Sequence, residues 1–222
     1  MTTESHPARE GDVSLPPPTP DQADSAYVGQ LRQAGLLGEL TDALLLVLLE
    51  SLDPKDDPDA RRLDLLALYF QGGDDAEVAE RRAHADGWLI HSDDEGTSAR
   101  EIVSRLVALE GALTDVSLER IGTDDGPLVV RSGDNLSAVT DDSDETDESD
   151  DETQNSITVR GLVRALNVLL DRQEIRRRWV PLLADDQREA YVAVGITEAM
   201  QLCRARCLDD ESPEEVMEFA AW

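Results

Sequence analysis

The chain has 222 residues, of which 49 are Asp or Glu and 20 are Lys or Arg, and its formal net charge is −29. So negative a chain lacks the broad basic surface of most nucleic-acid-binding domains and is not attracted to anionic lipid. The longest apolar run, Ala43 to Leu49, is much shorter than the roughly 20 residues that cross a bilayer. We therefore expect a cytoplasmic protein without a membrane anchor, and the polar N-terminus predicts no signal peptide.

The choice of charged residues indicates a habitat. Asp outnumbers Glu by 29 to 20, and Lys55 is the single lysine beside 19 arginines. This bias is typical of proteins in the cytosol of halophilic archaea, where a Debye length of about 3 Å suppresses repulsion between surface charges. Intrinsic disorder is the alternative explanation of so much charge. The apolar periodicity of most segments favours a folded protein.

Composition divides the chain into five parts. Residues 1–23 contain a proline cluster without apolar periodicity, which predicts a disordered tail. Residues 140–155 contain the run Asp141 to Glu152, in which nine of twelve side chains are carboxylates, and this predicts a disordered, self-repelling linker. The remaining parts are a helical domain at 24–92, a helix–hairpin unit at 97–139, and a unit of one helix, one hairpin and two further helices at 156–222.

Four helices are expected in the helical domain. The first begins near Ser25, the second spans Leu36 to Leu52, the third spans Ala60 to Phe70, and the fourth ends near Ala85. The second is apolar almost all round, which is typical of a helix in the middle of a core or shared with another chain. The segment from Leu36 to Leu52 is therefore a candidate surface for a homo-oligomer.

The second half of the chain predicts a helix followed by a β-hairpin twice. The two helices align at an offset of sixty residues and the two hairpin turns at sixty-one, although amphipathic helices also align by chance. Together the hairpins could complete one four-stranded antiparallel sheet covered by helices. The predicted fold class is therefore α+β, with a helical N-terminal part before a small antiparallel sheet. The expected strands are Val116 to Ile121, Pro127 to Arg131, Trp179 to Leu183 and Glu189 to Val194.

Residues for catalysis or metal binding are hard to find. The sequence has neither a phosphate-loop pattern nor a dinucleotide fingerprint, and it has no nucleophile elbow. Cys203 and Cys207 could form half of a zinc site, but there is no second cysteine pair, and packing as buried thiols is the favoured interpretation. We expect a protein that is not an enzyme and that carries no metal or cofactor.

Arginines are concentrated in residues 156–188, which carry a net charge of +3 on a strongly acidic chain. Guanidinium groups beside an aromatic ring suit phosphate or base stacking, and they equally suit an acidic partner or the chain's own acidic linker. The leading hypothesis is therefore a non-catalytic protein-interaction or regulatory module that binds an unidentified protein. The predicted contact residues are Arg160, Arg164, Arg176, Arg177, Arg178 and Trp179. Replacement of Arg176, Arg177 and Arg178 together by Ser is expected to leave the fold intact and to abolish binding of the partner.

A transcriptional regulator is the alternative hypothesis. The two helices on either side of Gly72 and Gly73 have the proportions of a helix-turn-helix, and Trp88 to His91 could form a wing strand. The candidate DNA-contacting residues are Arg81, Arg82 and His84. Acidic residues flank this helix on both sides and would repel DNA phosphates.

Overall fold

The structure is a computed structural model of the chain, and it describes residues 19–71, 76–92, 96–122, 126–140, 158–209 and 212–222. Within these ranges the chain forms eight helices and six strands, which confirms the predicted α+β class with a helical N-terminal part. Residues 1–18 of the predicted tail and residues 141–155 of the predicted acidic linker lie outside the described residues.

Four helices come first, and α1 begins inside the segment predicted as a tail. The backbone N–H of Thr19 donates to the side chain of Gln22 at 3.1 Å, and Pro20 occupies the first helical position. Both features favour a helix start at this point. The helices are α1 (Pro20–Gln33), α2 (Asp42–Glu50), α3 (Pro58–Gln71) and α4 (Ala76–Asp86).

The apolar segment from Leu36 to Leu52 is not one helix, so that prediction is wrong. Gly35 and Leu37 adopt left-handed backbone conformations with φ of 84° and 56°, which end α1 and turn the chain. Thr41 Oγ1 then accepts a hydrogen bond from the backbone N–H of Leu44 at 3.2 Å, and α2 begins at the next residue. The leucines before Thr41 are buried in a loop instead of a helix.

The six strands form two separate antiparallel sheets of three strands each. The central sheet has the order β1-β6-β5 and the outer sheet the order β2-β3-β4. The strands are β1 (Trp88–Ser92), β2 (Val116–Arg120), β3 (Leu128–Ser132), β4 (Asn135–Ala138), β5 (Arg178–Ala184) and β6 (Arg188–Val194).

The expected four-stranded sheet is therefore wrong, although both hairpins form where they were predicted. Each hairpin pairs with a third strand of its own instead of with the other hairpin. The chain turns back after β3 at Gly133, whose φ is 58°, and β4 pairs along the outside of β3. The outside of β6 pairs with β1, from the predicted helical part. The second strands of the two hairpins, β3 and β6, are therefore paired on both sides, and neither has a free edge with which the other hairpin could pair.

Two hydrophobic clusters lie on opposite faces of the central sheet. Trp88 and Val192 face a cluster formed with α1, α2, α3 and α7 (Ile196–Arg204). Leu89, Trp179 and Tyr191 face a second cluster, formed with α5 (Ala99–Glu110), α6 (Val159–Arg172) and α8 (Pro213–Phe219). Because neighbouring residues of a strand point to opposite faces, both sides of this sheet are buried.

Helices α5 and α6 lie against both sheets. Val130 of the outer sheet is fully buried in the cluster that also contains Leu106 of α5 and Leu166 of α6. The same cluster reaches the central sheet at Trp179 and Tyr191. The two helices that begin the predicted helix–hairpin units therefore connect the outer sheet to the rest of the protein.

A buried ion pair fastens α1 to α3. Arg61 and Asp24 are each 2% exposed, and the Arg61 guanidinium donates to Asp24 Oδ2 through Nε at 3.0 Å and Nη2 at 2.7 Å. Arg61 also donates to the carbonyl of Asp53. A buried pair of this kind adds little net stability, but loss of one partner leaves an uncompensated buried charge.

Candidate functional site

A groove runs between α5 and the edge strand β2. Arg100, Val103, Ser104 and Val107 line its helical side, and their spacing of three and four residues places them on one face of α5. Val116, Ser117 and Leu118 line the other side. The groove encloses about 280 Å³. Its floor is apolar, and Arg100 is an exposed cation that makes no hydrogen bond or ion pair within the described chain.

A capping box formed by Ser98 and Glu101 fixes the start of α5 and so positions this face. Ser98 Oγ accepts from the backbone N–H of Glu101 at 3.3 Å, and the Glu101 carboxylate accepts from the backbone N–H of Ser98 at 2.9 Å. Hydrogen bonds from the side chain and backbone of Ser98 lower the pKa of Glu101. The helix then ends at Gly111, in the left-handed conformation that favours glycine.

The outer edge of β2 carries unpaired backbone groups. The N–H of Ile121 donates to the carbonyl of Pro127 at 3.1 Å, which fixes the hydrogen-bonding phase of the β2–β3 ladder. Because the phase alternates along an antiparallel pair, odd-numbered residues of β2 bond to β3 and even-numbered ones from Val116 to Arg120 point away from it. Among the described strands, β2 pairs only with β3. An extended peptide could therefore pair with this edge.

The edge of β5, the corresponding first strand of the second hairpin, is closed. Asn167 of α6 is fully buried, its Nδ2 donates to the carbonyl of Trp179 at 2.8 Å, and its Oδ1 accepts from the Trp179 N–H at 2.9 Å. Two residues on, Pro181 has no N–H, and its carbonyl accepts from the N–H of Asp209 at 3.4 Å. Sequence reasoning missed Asn167, although a lone amide on the apolar face of a helix was the available signal.

Two of the predicted partner-binding arginines pack on an aromatic ring. Arg160 and Arg164 are one turn apart on α6, and their guanidinium carbons lie 4.8 and 5.2 Å from the ring centroid of Phe219. Arg160 also pairs with Asp209 at 3.4 Å. Both side chains are partly exposed, and their stacking helps to hold α8 against α6.

The other four predicted contact residues do not share one surface. Arg176 is exposed, whereas Arg177 donates through Nη2 to the carbonyl of Ala193 at 2.6 Å. Arg178 is 3% exposed and Trp179 is 1% exposed, so both belong to the interior.

The contacts of Arg178 are structural. Its Nη2 donates to Asp171 Oδ1 at 3.0 Å. Burial lowers the pKa of Arg178, and the neighbouring Asp171 carboxylate opposes that shift. Together with the Arg177–Ala193 bond, these contacts count against the expectation that Arg176, Arg177 and Arg178 can be replaced without harm to the fold.

The candidate DNA-contacting residues on α4 bind groups of the protein itself. Arg81 makes two hydrogen bonds of 3.1 Å to the Glu39 carboxylate, which hold the pKa of Glu39 below its usual value. Arg82 donates to the carbonyl of Tyr69 at 2.6 Å and lies 4.4 Å from the centre of its ring. His84 is exposed, and its Nε2 lies 3.9 Å from Glu80 Oε1.

The two helices and the strand of the predicted helix-turn-helix do form. The strand β1, however, is largely buried in the central sheet, where it pairs with β6. A wing has to stand free to reach the DNA backbone, and β1 does not. The turn at Gly72 and Gly73 lies outside the described residues.

The candidate homo-oligomer segment exposes two large apolar side chains. Leu46 and Val47 are 63% and 58% exposed on the outer side of α2, while Leu45, Leu48 and Leu49 face the core. Two such residues make a small patch, and scattered exposed apolar side chains are common on monomers.

Cys203 and Cys207 are buried free thiols in the cluster beside α3 and α7. Burial raises the pKa of Cys207 to about 11, so its thiol is protonated at neutral pH. Within the described ranges, no group of three or more His, Cys, Asp and Glu side chains is arranged to hold a metal ion.

Comparison with known proteins gives no relative from which a function could be transferred. No family model, curated protein or solved structure matches the chain. None of the helices in the described ranges combines the length and the apolar character that a membrane span requires. Any functional proposal therefore rests on the chain's own geometry.

Proposed function

We propose that the chain is a non-catalytic interaction module that binds an extended, acidic segment of a partner protein in the groove between α5 and β2. The observation that supports this most directly is the unpaired edge of β2, which lies beside an apolar groove. A peptide strand gains main-chain hydrogen bonds from such an edge, and alternate side chains of the peptide enter the neighbouring groove.

The groove fits the side chains of a short extended segment. The face of α5 from Arg100 to Val107 rises by about 10 Å, which equals the length of about three residues of a strand. Val103, Val107, Val116 and Leu118 offer apolar contacts along this length. One or two apolar side chains of the peptide would therefore be buried.

Charge favours an acidic partner. Arg100 and Arg120 are exposed on the two elements that border the groove, on a protein whose net charge is −29. A basic peptide would be attracted by most of the surface, whereas an acidic peptide would find these two guanidinium groups in particular. Charge would thus select the groove, and backbone pairing would supply most of the affinity.

We propose that this binding takes place in the cytosol of a halophilic archaeon, as the excess of Asp and the near absence of Lys suggest. In molar salt the contribution of exposed charges is small, because the Debye length is about 3 Å. Strand addition does not depend on long-range charge, so it remains effective there.

The test is a titration of fluorescent peptides in molar KCl, followed by anisotropy. The first probe alternates Val and Thr and ends in Asp, and the second has Lys at those positions. We expect saturable binding of the acidic probe and weaker binding of the basic one. Equal binding of both probes would contradict the role of Arg100 and Arg120.

Two matched pairs of variants locate the site. Ser104 and Ala108 are both exposed on α5, but only Ser104 lines the groove. Ser104→Trp should fill the groove and weaken binding at least about tenfold, whereas Ala108→Trp should change it less than about twofold. Arg100→Gln should weaken binding of the acidic probe about threefold, the size expected of an exposed ion pair, and Arg204→Gln should not.

A duplex DNA fragment serves as a further probe of the alternative function. The regulator hypothesis would replace this proposal if three results came together. The protein would retain the DNA, the variant carrying Arg81→Ala and Arg82→Ala would not, and neither peptide would bind. Light scattering of the free protein shows whether the chain forms a homo-oligomer, as pairing through α2 or through the edge of β2 would require.

A further inference from the structure

A second concave site lies on the other side of α5, where α3, α4 and β1 meet. The cleft encloses about 470 Å³, within the range of roughly 300 to 1,000 Å³ that is usual for small-molecule sites. Its polar lining comes from five elements, through Gln71, Glu80, Ser92, Arg105 and Arg188. It shares no lining residue with the groove between α5 and β2.

The lining of the cleft is mostly apolar, with two aromatic rings. Phe70 and Trp88 pack together with ring centroids 5.0 Å apart, and they are 9% and 2% exposed. Ala67, Ala79 and Ala83 complete the helical walls with small side chains, and Ile90 adds a branched one from β1. Small residues opposite large rings leave a space that suits a flat ring system.

Hydrogen-bond donors outnumber acceptors in this lining. Arg105 and Arg188 bring two guanidinium groups from α5 and β6. Arg188 is fixed in place, because it donates to Asp185 Oδ2 at 2.6 Å and to Asp64 Oδ1 at 2.5 Å. Trp88 also carries a buried indole N–H for which no described residue is an acceptor. Buried polar groups in folded proteins are nearly always hydrogen-bonded, so this N–H calls for a partner.

We propose that the cleft binds a small organic acid with a flat apolar body. The body would lie against Phe70 and Trp88 between the alanines, and the carboxylate would accept hydrogen bonds on the side of the cleft where Arg105 lies. An ionised carboxylate accepts hydrogen bonds and donates none, which matches a site rich in donors. Glu80, the acidic residue in the lining, disfavours a second negative charge on the ligand.

The test uses 2-naphthoate and its uncharged analogue 2-naphthamide, with indole N–H signals of the full-length protein observed by NMR in molar KCl. Trp88 lines the cleft, and Trp179 lies on the opposite face of the central sheet. We expect 2-naphthoate to shift the Trp88 signal in a saturable way and to leave the Trp179 signal in place. Absence of a shift, or equal shifts of both signals, would overturn the proposal.

Variants separate the cleft from non-specific apolar binding. Ala83→Phe should fill the space and reduce the affinity for 2-naphthoate at least about tenfold, while Ala108→Phe on the exposed side of α5 should not. Arg105→Gln should weaken 2-naphthoate about threefold and leave 2-naphthamide unchanged, with Arg204→Gln as the matched control. Equal affinities of the two probes for the original protein would overturn the acid specificity.

Discussion

The two helix–hairpin units have the same order of elements, but the outer edge of the first hairpin strand is open in the first unit and covered in the second. In the second unit, α6 and the strands β5 and β6 are buried on nearly every side. In the first unit, α5 exposes Arg100 and Ser104, and β2 is at most partly buried. The first strand of each hairpin lies at the edge of its sheet, yet the described residues satisfy outward backbone groups only on β5, at Trp179 and Pro181.

One position accounts for much of this difference. At the helix offset of sixty residues, Asn167 of α6 corresponds to Val107 of α5, and at the hairpin offset of sixty-one, Trp179 corresponds to Leu118. The amide of Asn167 binds both the N–H and the C=O of Trp179. The side chain of Val107 cannot hydrogen-bond, and no described residue pairs with the outward N–H and C=O of Leu118. An edge strand left in this state is a natural place for another chain to pair.

The largest effect is expected from Asn167→Val, which places in the second unit the residue type that Val107 has at the corresponding position of the first. The change strips the Trp179 N–H and C=O of their partners inside the core and also removes a 3.3 Å bond to the carbonyl of Phe219. We expect the free energy of unfolding to fall by about 3 kcal/mol or more, because buried polar groups are left unsatisfied. Urea unfolding in molar KCl measures it, and Ser104→Val is the exposed control. A loss below about 1 kcal/mol would contradict the structural role of Asn167.

The reciprocal variant, Val107→Asn, should cover the open edge of β2 in the first unit. Because Val107 and Leu118 both line the groove, we expect an amide at position 107 to compete with an incoming peptide for the outward backbone groups of β2. We expect the affinity for the acidic probe peptide to fall about tenfold, with Val107→Ala as a control that shortens the side chain without adding an amide. Unchanged affinity in Val107→Asn would show that the edge of β2 is not the binding surface.

A smaller effect is expected from acid, because the turn of the second hairpin depends on an ionised carboxylate. Burial alone would raise the pKa of Asp185, but hydrogen bonds from the Arg188 side chain and from two backbone N–H groups outweigh it and lower that pKa. The stabilisation is therefore fully present above about pH 5 and is lost as pH falls below about 4.

Asp185→Asn is the matching variant. It should reduce the stability of the protein by up to about 1 kcal/mol at neutral pH and make hydrogen exchange of β5 and β6 amides less sensitive to acid. The amides of β2 and β3 provide the reference within the same sample. Equal acid sensitivity of β6 in the variant and the original protein would rule out this role of Asp185.

Local signals predicted the elements, and distant pairings decided the site. The capping box at Ser98 and the turns of both hairpins are short-range features, so the helix starts and strand positions could be predicted from sequence. Asn167 binds Trp179 and Phe219, which are 12 and 52 residues away, and no local pattern specifies such contacts. The groove face from Arg100 to Val107 was visible as an amphipathic helix. The groove is open because β4 pairs with β3 and not with the outer edge of β2, and β4 was not predicted from the sequence.

The pairing of β1 with β6 has a consequence for synthesis of the protein. Strand β1 ends at Ser92 and its partner begins at Arg188, so the ribosome adds about 100 residues before the two can pair. At roughly 5 to 20 residues per second, this delay is on the order of 5 to 20 s. During that time Trp88 and Leu89 lack the strand that later covers them. A nascent chain halted before β6 should therefore bind chaperones that recognise apolar segments, whereas a chain whose residue 194 has left the exit tunnel should not.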